Sequence, residues 1–205
     1  MALVILNVAY PFSRVRADAA DDAERTIARL DSALVRAGHE SVVMACEGSV
    51  TEGILLATQL PSNGLGDAQQ HLVYDQYRFT LRRFLEKWPI DLIHMHGVDF
   101  YEYLPPPGVP VLITLHSPFH LYPENVFHLE RPLTFLNCAS SRQRQNCPDC
   151  ANLLPELDTD VAPELESGDM QSVTAHYLAL HERMVNDFRS AETHSFATKE
   201  ASLAG

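Results

Sequence analysis

Basic residues are scarce in this chain of 205 residues: 15 Lys and Arg stand against 27 Asp and Glu, a formal charge of −12. Nucleic acid and anionic membrane surfaces need clustered cations, so neither is the expected main partner. Long apolar runs are missing too, and none approaches the length of a membrane span. The N-terminus, Met1-Ala-Leu-Val-Ile-Leu-Asn-Val8, has no basic segment ahead of its apolar residues. It reads as a strand, not a signal peptide. The 4 cysteines are irregularly spaced, which is no disulfide framework in a chain of this size. The expected location is therefore the cytoplasm. There is no internal repeat, no Ser-His-Asp signature and no P-loop. Apolar residues are plentiful, at 46 %, enough for the core of one large domain or of one domain with an appendage.

These apolar residues fall into short runs separated by helical patterns. Residues 3–9 form a run that is apolar but for Asn7, the first expected strand. After a loop, Ala23, Ile27, Leu30, Leu34 and Ala37 recur at helical spacing, and Gly38 is placed to end that helix in the left-handed conformation. Residues 41–46 are a valine-rich second strand, and residues 53–60 a possible third. A turn cluster at 61–66 leads to a second helix over 68–88, with Leu72, Tyr77, Leu81, Phe84, Leu85 and Trp88 on or near its buried face. Strands through residues 90–96 and 111–115 follow, separated by a possible short helix at 98–104 and a proline-rich turn. Residues 133–139 and 152–157 are weaker strand candidates. Strand–helix–strand units of this kind predict an α/β fold: one Rossmann-like, doubly wound parallel sheet.

The last part of the chain reads differently. Residues 158–169 are acidic and suit a linker; Met170, Val173, Tyr177, Leu180, Met184 and Phe188 then alternate three and four apart, widened by Leu178 and Val185. The expected organisation is a domain over 1–157, a linker over 158–169, a docked helix over 170–189 and a flexible tail over 190–205. An apolar stripe of this kind must bury itself. It either docks on the domain or pairs with its copy in a homodimer.

Two strands carry the candidate chemistry. Ile90-Asp-Leu-Ile-His-Met-His-Gly97 and Val111-Leu-Ile-Thr-Leu-His-Ser117 are apolar runs that end in histidine and a small residue. In open parallel sheets the carboxyl ends of strands border the ligand crevice. His94, His96, His116 and Ser117 are therefore candidate binding residues, although structural histidines at strand ends are the commoner case. His94 and His96 lack a third ligand of typical metal spacing. Ser13 and Arg14, in the first loop, are further candidates. Cys147-Pro-Asp-Cys150 with Cys138 offers three thiolates but no evident fourth ligand, so the expectation is no metal, with Cys138, Cys147 and Cys150 as the alternative set.

Several stretches together resemble the N-terminal, acceptor-side domain of family-4 glycosyltransferases: Val8-Ala-Tyr-Pro-Phe-Ser13, Leu34-Val-Arg-Ala-Gly-His39, Val42-Val-Met-Ala-Cys-Glu-Gly48, Asp91-Leu-Ile-His-Met-His-Gly97 and Gly108-Val-Pro-Val-Leu-Ile-Thr-Leu-His-Ser117. The resemblance implies a GT-B fold and a nucleotide sugar as co-substrate, with no tightly bound cofactor. It also implies transfer to a saccharide or lipid-linked acceptor, with His116 near the donor sugar. The final helix resembles the one that crosses back onto the N-terminal domain in such enzymes. Two departures stand out. Where the family has a Gly-Gly pair that lets backbone approach donor phosphates, this chain has Asp21-Asp22, a degenerate phosphate loop or simply a helix cap. The donor-binding domain expected near residue 160 has no counterpart. The expectations are a chain inactive alone that works with a separate donor-domain subunit or, alternatively, a non-catalytic sugar-binding or protein-interaction module.

Overall fold

A computed structural model describes residues 1–59, 66–154 and 170–203, with side chains of the last helix described over 174–190. The strands are β1 (Val4–Val8), β2 (Glu40–Cys46), β3 (Ile54–Thr58), β4 (Leu92–Met95), β5 (Val111–Leu115) and β6 (Thr134–Cys138). The helices are α1 (Asp22–Arg36), α2 (Asp67–Leu85), α3 (Ser141–Gln145) and α4 (Met170–Leu203). All strand pairs are parallel, in the order β3-β2-β1-β4-β5-β6. The fold is the α/β Rossmann-like sheet with a C-terminal helix that the strand–helix alternation implies.

Parallel strands buried on both faces divide their residues by alternation. Leu6, Val8, Ile93, Met95, Val111 and Ile113 face α2 in one core. Leu3, Ile5, Leu92 and Leu112 face Leu30 and Leu34 of α1 and Tyr177, Leu180, Met184 and Val185 of α4 in the other. The α4 stripe, where described, is thus buried on its own domain. Arg189 Nη2 donates to Asp91 Oδ1 at 2.6 Å, and Val4 N donates to Asp91 Oδ2 at 2.8 Å, tying the helix to the N-terminal ends of the central strands β1 and β4.

Gly38 closes α1 with φ of +81°. Its N–H donates to Val35 O and that of His39 to Leu34 O, the paired bonds of a Schellman cap. The α2 face differs from expectation. Leu72 is 61 % exposed, and Val73 and Tyr74 are buried beside Tyr77 and Leu81. Three successive apolar residues leave the phase of a helix stripe ambiguous, and packing against β4 and the turn at Phe100–Tyr103 decides it. That turn is a 3-10 helix. Residues 152–154 add only an isolated parallel bridge, Leu136 to Leu153, and α3 lies where no helix was expected. The linker at 158–169, most of the turn cluster at 61–66 and the side chains of Met170 and Val173 lie outside the described residues. The α4 backbone is helical to Leu203, past the apolar stripe.

Candidate functional site

The strand order reverses between β1 and β4, the switch point where crevices open in doubly wound folds. The same alternation that builds the cores turns polar at this end. On the α4 side, β4 runs Leu92, His94, His96 and β5 runs Leu112, Thr114, His116. An open cavity of about 350 Å³ lies here, lined by Tyr10, Asp21–Glu24, His96, Val98, His116, Ser117 and Pro118.

His96 Nδ1 and His116 Nε2 share a hydrogen bond of 3.0 Å, with the rings stacked at 5.3 Å. One nitrogen must donate and the other accept. In the neutral pair, whichever tautomer holds, the two remaining nitrogens are then one donor and one acceptor. Those nitrogens, His96 Nε2 and His116 Nδ1, are buried and have no protein partner. Burial holds both rings neutral near pH 7. It pushes His116 down to about 4, and it lowers His96 well below the usual histidine range, reinforced by His116 and His181.

His94 takes a different place. Its Nε2 pairs with Thr114 Oγ1 at 2.8 Å and its Nδ1 with His181 Nε2 of α4 at 2.9 Å. Fully buried and satisfied on both nitrogens, it stands behind His96, ring centroids 3.9 Å apart, and does not line the cavity. Gly97 follows because nothing larger fits: a Cβ there would lie 2.0 Å from Tyr103 Oη, whose hydroxyl donates to Asp99 Oδ1 at 2.7 Å.

Asp21 occupies the N-cap position of α1, but its carboxylate makes no capping hydrogen bond. Asp21 thus caps by position only, with Asp22 beside it in the first turn, where acidic residues favour the helix dipole. Asp22 pairs with Arg25 one turn on. Ser13 and Arg14 line a neighbouring cavity of about 330 Å³ that shares Asp21 and Glu24 with the first. Arg14 Nε donates to Glu47 O at 2.9 Å, which directs it toward the loop after β2.

Glu24 escaped the sequence reading. It is only 3 % exposed, accepts from Ser13 Oγ through Oε1, and leaves Oε2 buried without a partner. The available signal was its spacing, since Glu24, Ile27, Asp31 and Leu34 share the buried face of α1. His181 was also missed, because its partner is 87 residues away. Cys138 is buried and its thiol is pushed up to about 12, by burial first and then by its cysteine neighbours. All 4 cysteines are free, and among the described residues no group of three or more His, Cys, Asp or Glu is arranged to hold a metal ion.

The model of Glycosyltransferase Family 4 matches residues 23–144. That span runs from the first turn of α1 through β4, β5 and α3, and so includes both crevice histidines. The chain belongs to glycosyltransferase family 4. Among solved structures it is similar to AviGT4, a glycosyltransferase involved in avilamycin A biosynthesis, at 18 % identity and a TM-score of 0.45, over 75 % of this chain and 41 % of that one. It is also similar to a glycosyltransferase from Rickettsia africae ESF-5, at 12 % identity and a TM-score of 0.48, again over 75 % and 41 %. The family-4 chain thus spans less than half the length of either structure. A search of curated proteins finds no match. Among its described residues, no helix is long and apolar enough to cross a membrane.

Proposed function

We propose that the crevice is the acceptor side of a glycosyl-transfer cleft. On this reading the chain binds a hydroxyl of a saccharide or lipid-linked acceptor. A nucleotide sugar serves as co-substrate, not as a resident cofactor, and is held by a donor-binding domain on a separate subunit. The carrying observation is the His96–His116 pair on the cavity wall, which leaves one buried donor and one buried acceptor without a protein partner. A sugar hydroxyl both donates and accepts, so it can satisfy both nitrogens. A histidine with a pKa of about 4 is a poor proton acceptor near neutrality, so His116 orients the hydroxyl and does not serve as general base. A GT-B cleft closes between two sheets, and the described residues form one. On that basis the chain alone neither hydrolyses nor transfers from a nucleotide sugar.

The second reading, a sugar-binding module without catalysis, is favoured by Asp21 and Asp22. Two carboxylates stand at the helix N-terminus where the family places glycines against donor phosphates. Isotope-labelled protein titrated with neutral disaccharides tests what the two readings share. Amide shifts should centre on residues 96–98 and 116–118, and His116→Ala should abolish them. Turnover of a nucleotide sugar by the purified chain, lost in His116→Ala, would overturn the half-cleft reading.

A further inference from the structure

We propose that the crevice selects a saccharide carrying a protonated amine, seated between the Asp21 and Glu24 carboxylates and the His96–His116 pair. This inference rests on the acceptor-side reading above and adds the chemical class of the ligand.

The charge around the cavity is one-sided. Asp21, Asp22 and Glu24 line it, and no Lys or Arg does. Asp22 is offset by Arg25. Asp21 has no hydrogen-bond or ion-pair partner for its carboxylate among the described residues, and Glu24 is paired only with a neutral serine hydroxyl. The two histidines add no positive charge, because burial keeps them neutral. Tyr10, on the same wall, feels the resulting field: its hydroxyl is held above the ordinary value by burial and then by Asp99 and Glu24.

The opposing effect is the N-terminus of α1, whose exposed amides favour an anion. A helix terminus is equivalent to about half an elementary charge. Asp21 and Glu24 bring two carboxylates beside it, and the cations of the neighbouring cavity they share are engaged elsewhere, Arg16 with Asp18 and Arg14 with Glu47 O, so the carboxylates outweigh the terminus. A diphosphate is therefore disfavoured and a cation favoured. A metal ion is not the cation that fits, since no described group of three ligands converges. An ammonium needs no coordination geometry, only acceptors: the Asp21 carboxylate is exposed, and the wall residues Glu24 and the histidine pair hold further acceptor atoms that are buried and without a protein partner. Glu24 and His96 supply the evidence of a built site. Each is more than nine-tenths buried, lines the cavity, and has a polar atom that no protein group satisfies.

The test uses the full chain and two probes, a β-1,4-linked glucosamine disaccharide and its N-acetylated counterpart, titrated near neutral pH by calorimetry and amide NMR. The amine form should bind about tenfold more tightly, as expected for a hydrogen bond to a charged group. Its preference should weaken as salt is raised. Asp21→Asn, an exposed substitution that leaves the core alone, should remove most of that preference, read as the ratio of the two sugars' affinities within the variant. Glu24→Gln should do the same, and the NMR spectrum reports whether the fold survives. Equal affinity for both sugars would overturn the amine preference while leaving the acceptor-side reading intact. Tighter binding of uridine diphosphate than of the amine sugar would overturn it also. Failure of either sugar to perturb residues 96 and 116 would defeat this proposal and the reading beneath it together.

Discussion

His181 of α4 and His94 of β4 meet ring nitrogen to ring nitrogen at 2.9 Å, and neither side chain is exposed. The contact joins the last helix to the strand beneath the crevice. From His94 the polar layer continues to Thr114 by hydrogen bond and to His96 by a tilted ring contact, and His96 bonds His116 at the cavity wall. Docking of α4 and placement of the crevice histidines thus share one buried layer.

That layer makes stability depend on pH with a definite sign. Burial and, to a lesser degree, His39 push His181 down to about 3, and burial pushes His116 down to about 4, against about 6.5 for a histidine in the unfolded chain. The unfolded chain then binds more protons than the folded one as pH falls below 6.5. The histidine contribution is fully present above that pH. It is lost progressively down to about 4 for His116 and about 3 for His181. Each such group contributes a slope of about 1.4 kcal/mol per pH unit. Urea unfolding at a series of pH values should show the decline, and His181→Leu should flatten it. An unchanged slope in the variant would remove His181 as a cause.

Two leucines should respond to truncation by very different amounts. Leu180 is 3 % exposed between α4 and the sheet, and Leu72 is 61 % exposed on α2. Leu180→Ala should cost about 2–5 kcal/mol by cavity formation. Leu72→Ala should stay within about 0.5 kcal/mol. Thermal or chemical denaturation distinguishes the two, and similar losses would mean that α4 does not dock as described.

Gly97→Ala places a methyl group where Tyr103 Oη now sits, at 2.0 Å. Something must move, and the tyrosine is buried and bonded to Asp99. The expected cost is about 1–3 kcal/mol, typical of overpacking. Because the strain falls beside His96, saccharide binding should weaken more than the stability loss alone accounts for. A variant with wild-type stability would mean that Tyr103 has room to withdraw.

Replacing Asp21 and Asp22 together by glycine should raise affinity for a nucleoside diphosphate. The change removes two charges, allows closer backbone approach at α1, and frees Arg25 from Asp22 to meet a phosphate. Calorimetry on the double variant checks this. Affinity equal to or below that of the parent would argue against the loop as a former phosphate site.

Much of this was legible because strand burial writes itself locally. Residues 90–97 and 111–117 announce buried strands by their apolar runs and their ends by histidine, and Gly38 announces the end of α1. Those features depend on the backbone and its immediate neighbours. Glu24 was not legible as a site residue, because a glutamate in the first turn of a helix is ordinarily a favourable surface charge. Only the packing of α1 on the sheet turns it inward.

The residue pattern alone determined the α/β class, the strand ends where histidines collect, the negative charge and the family resemblance. Tertiary structure alone decided which histidine faces the cavity and which stands behind it. His94 and His96 are two residues apart on one face of one strand, and periodicity treats them alike. They differ because α4 returns across 87 residues to cover one with His181, while the other lies on the cavity wall. A pairing over that distance leaves no trace in local spacing, since it is set by where the helix's apolar stripe finds a surface to bury.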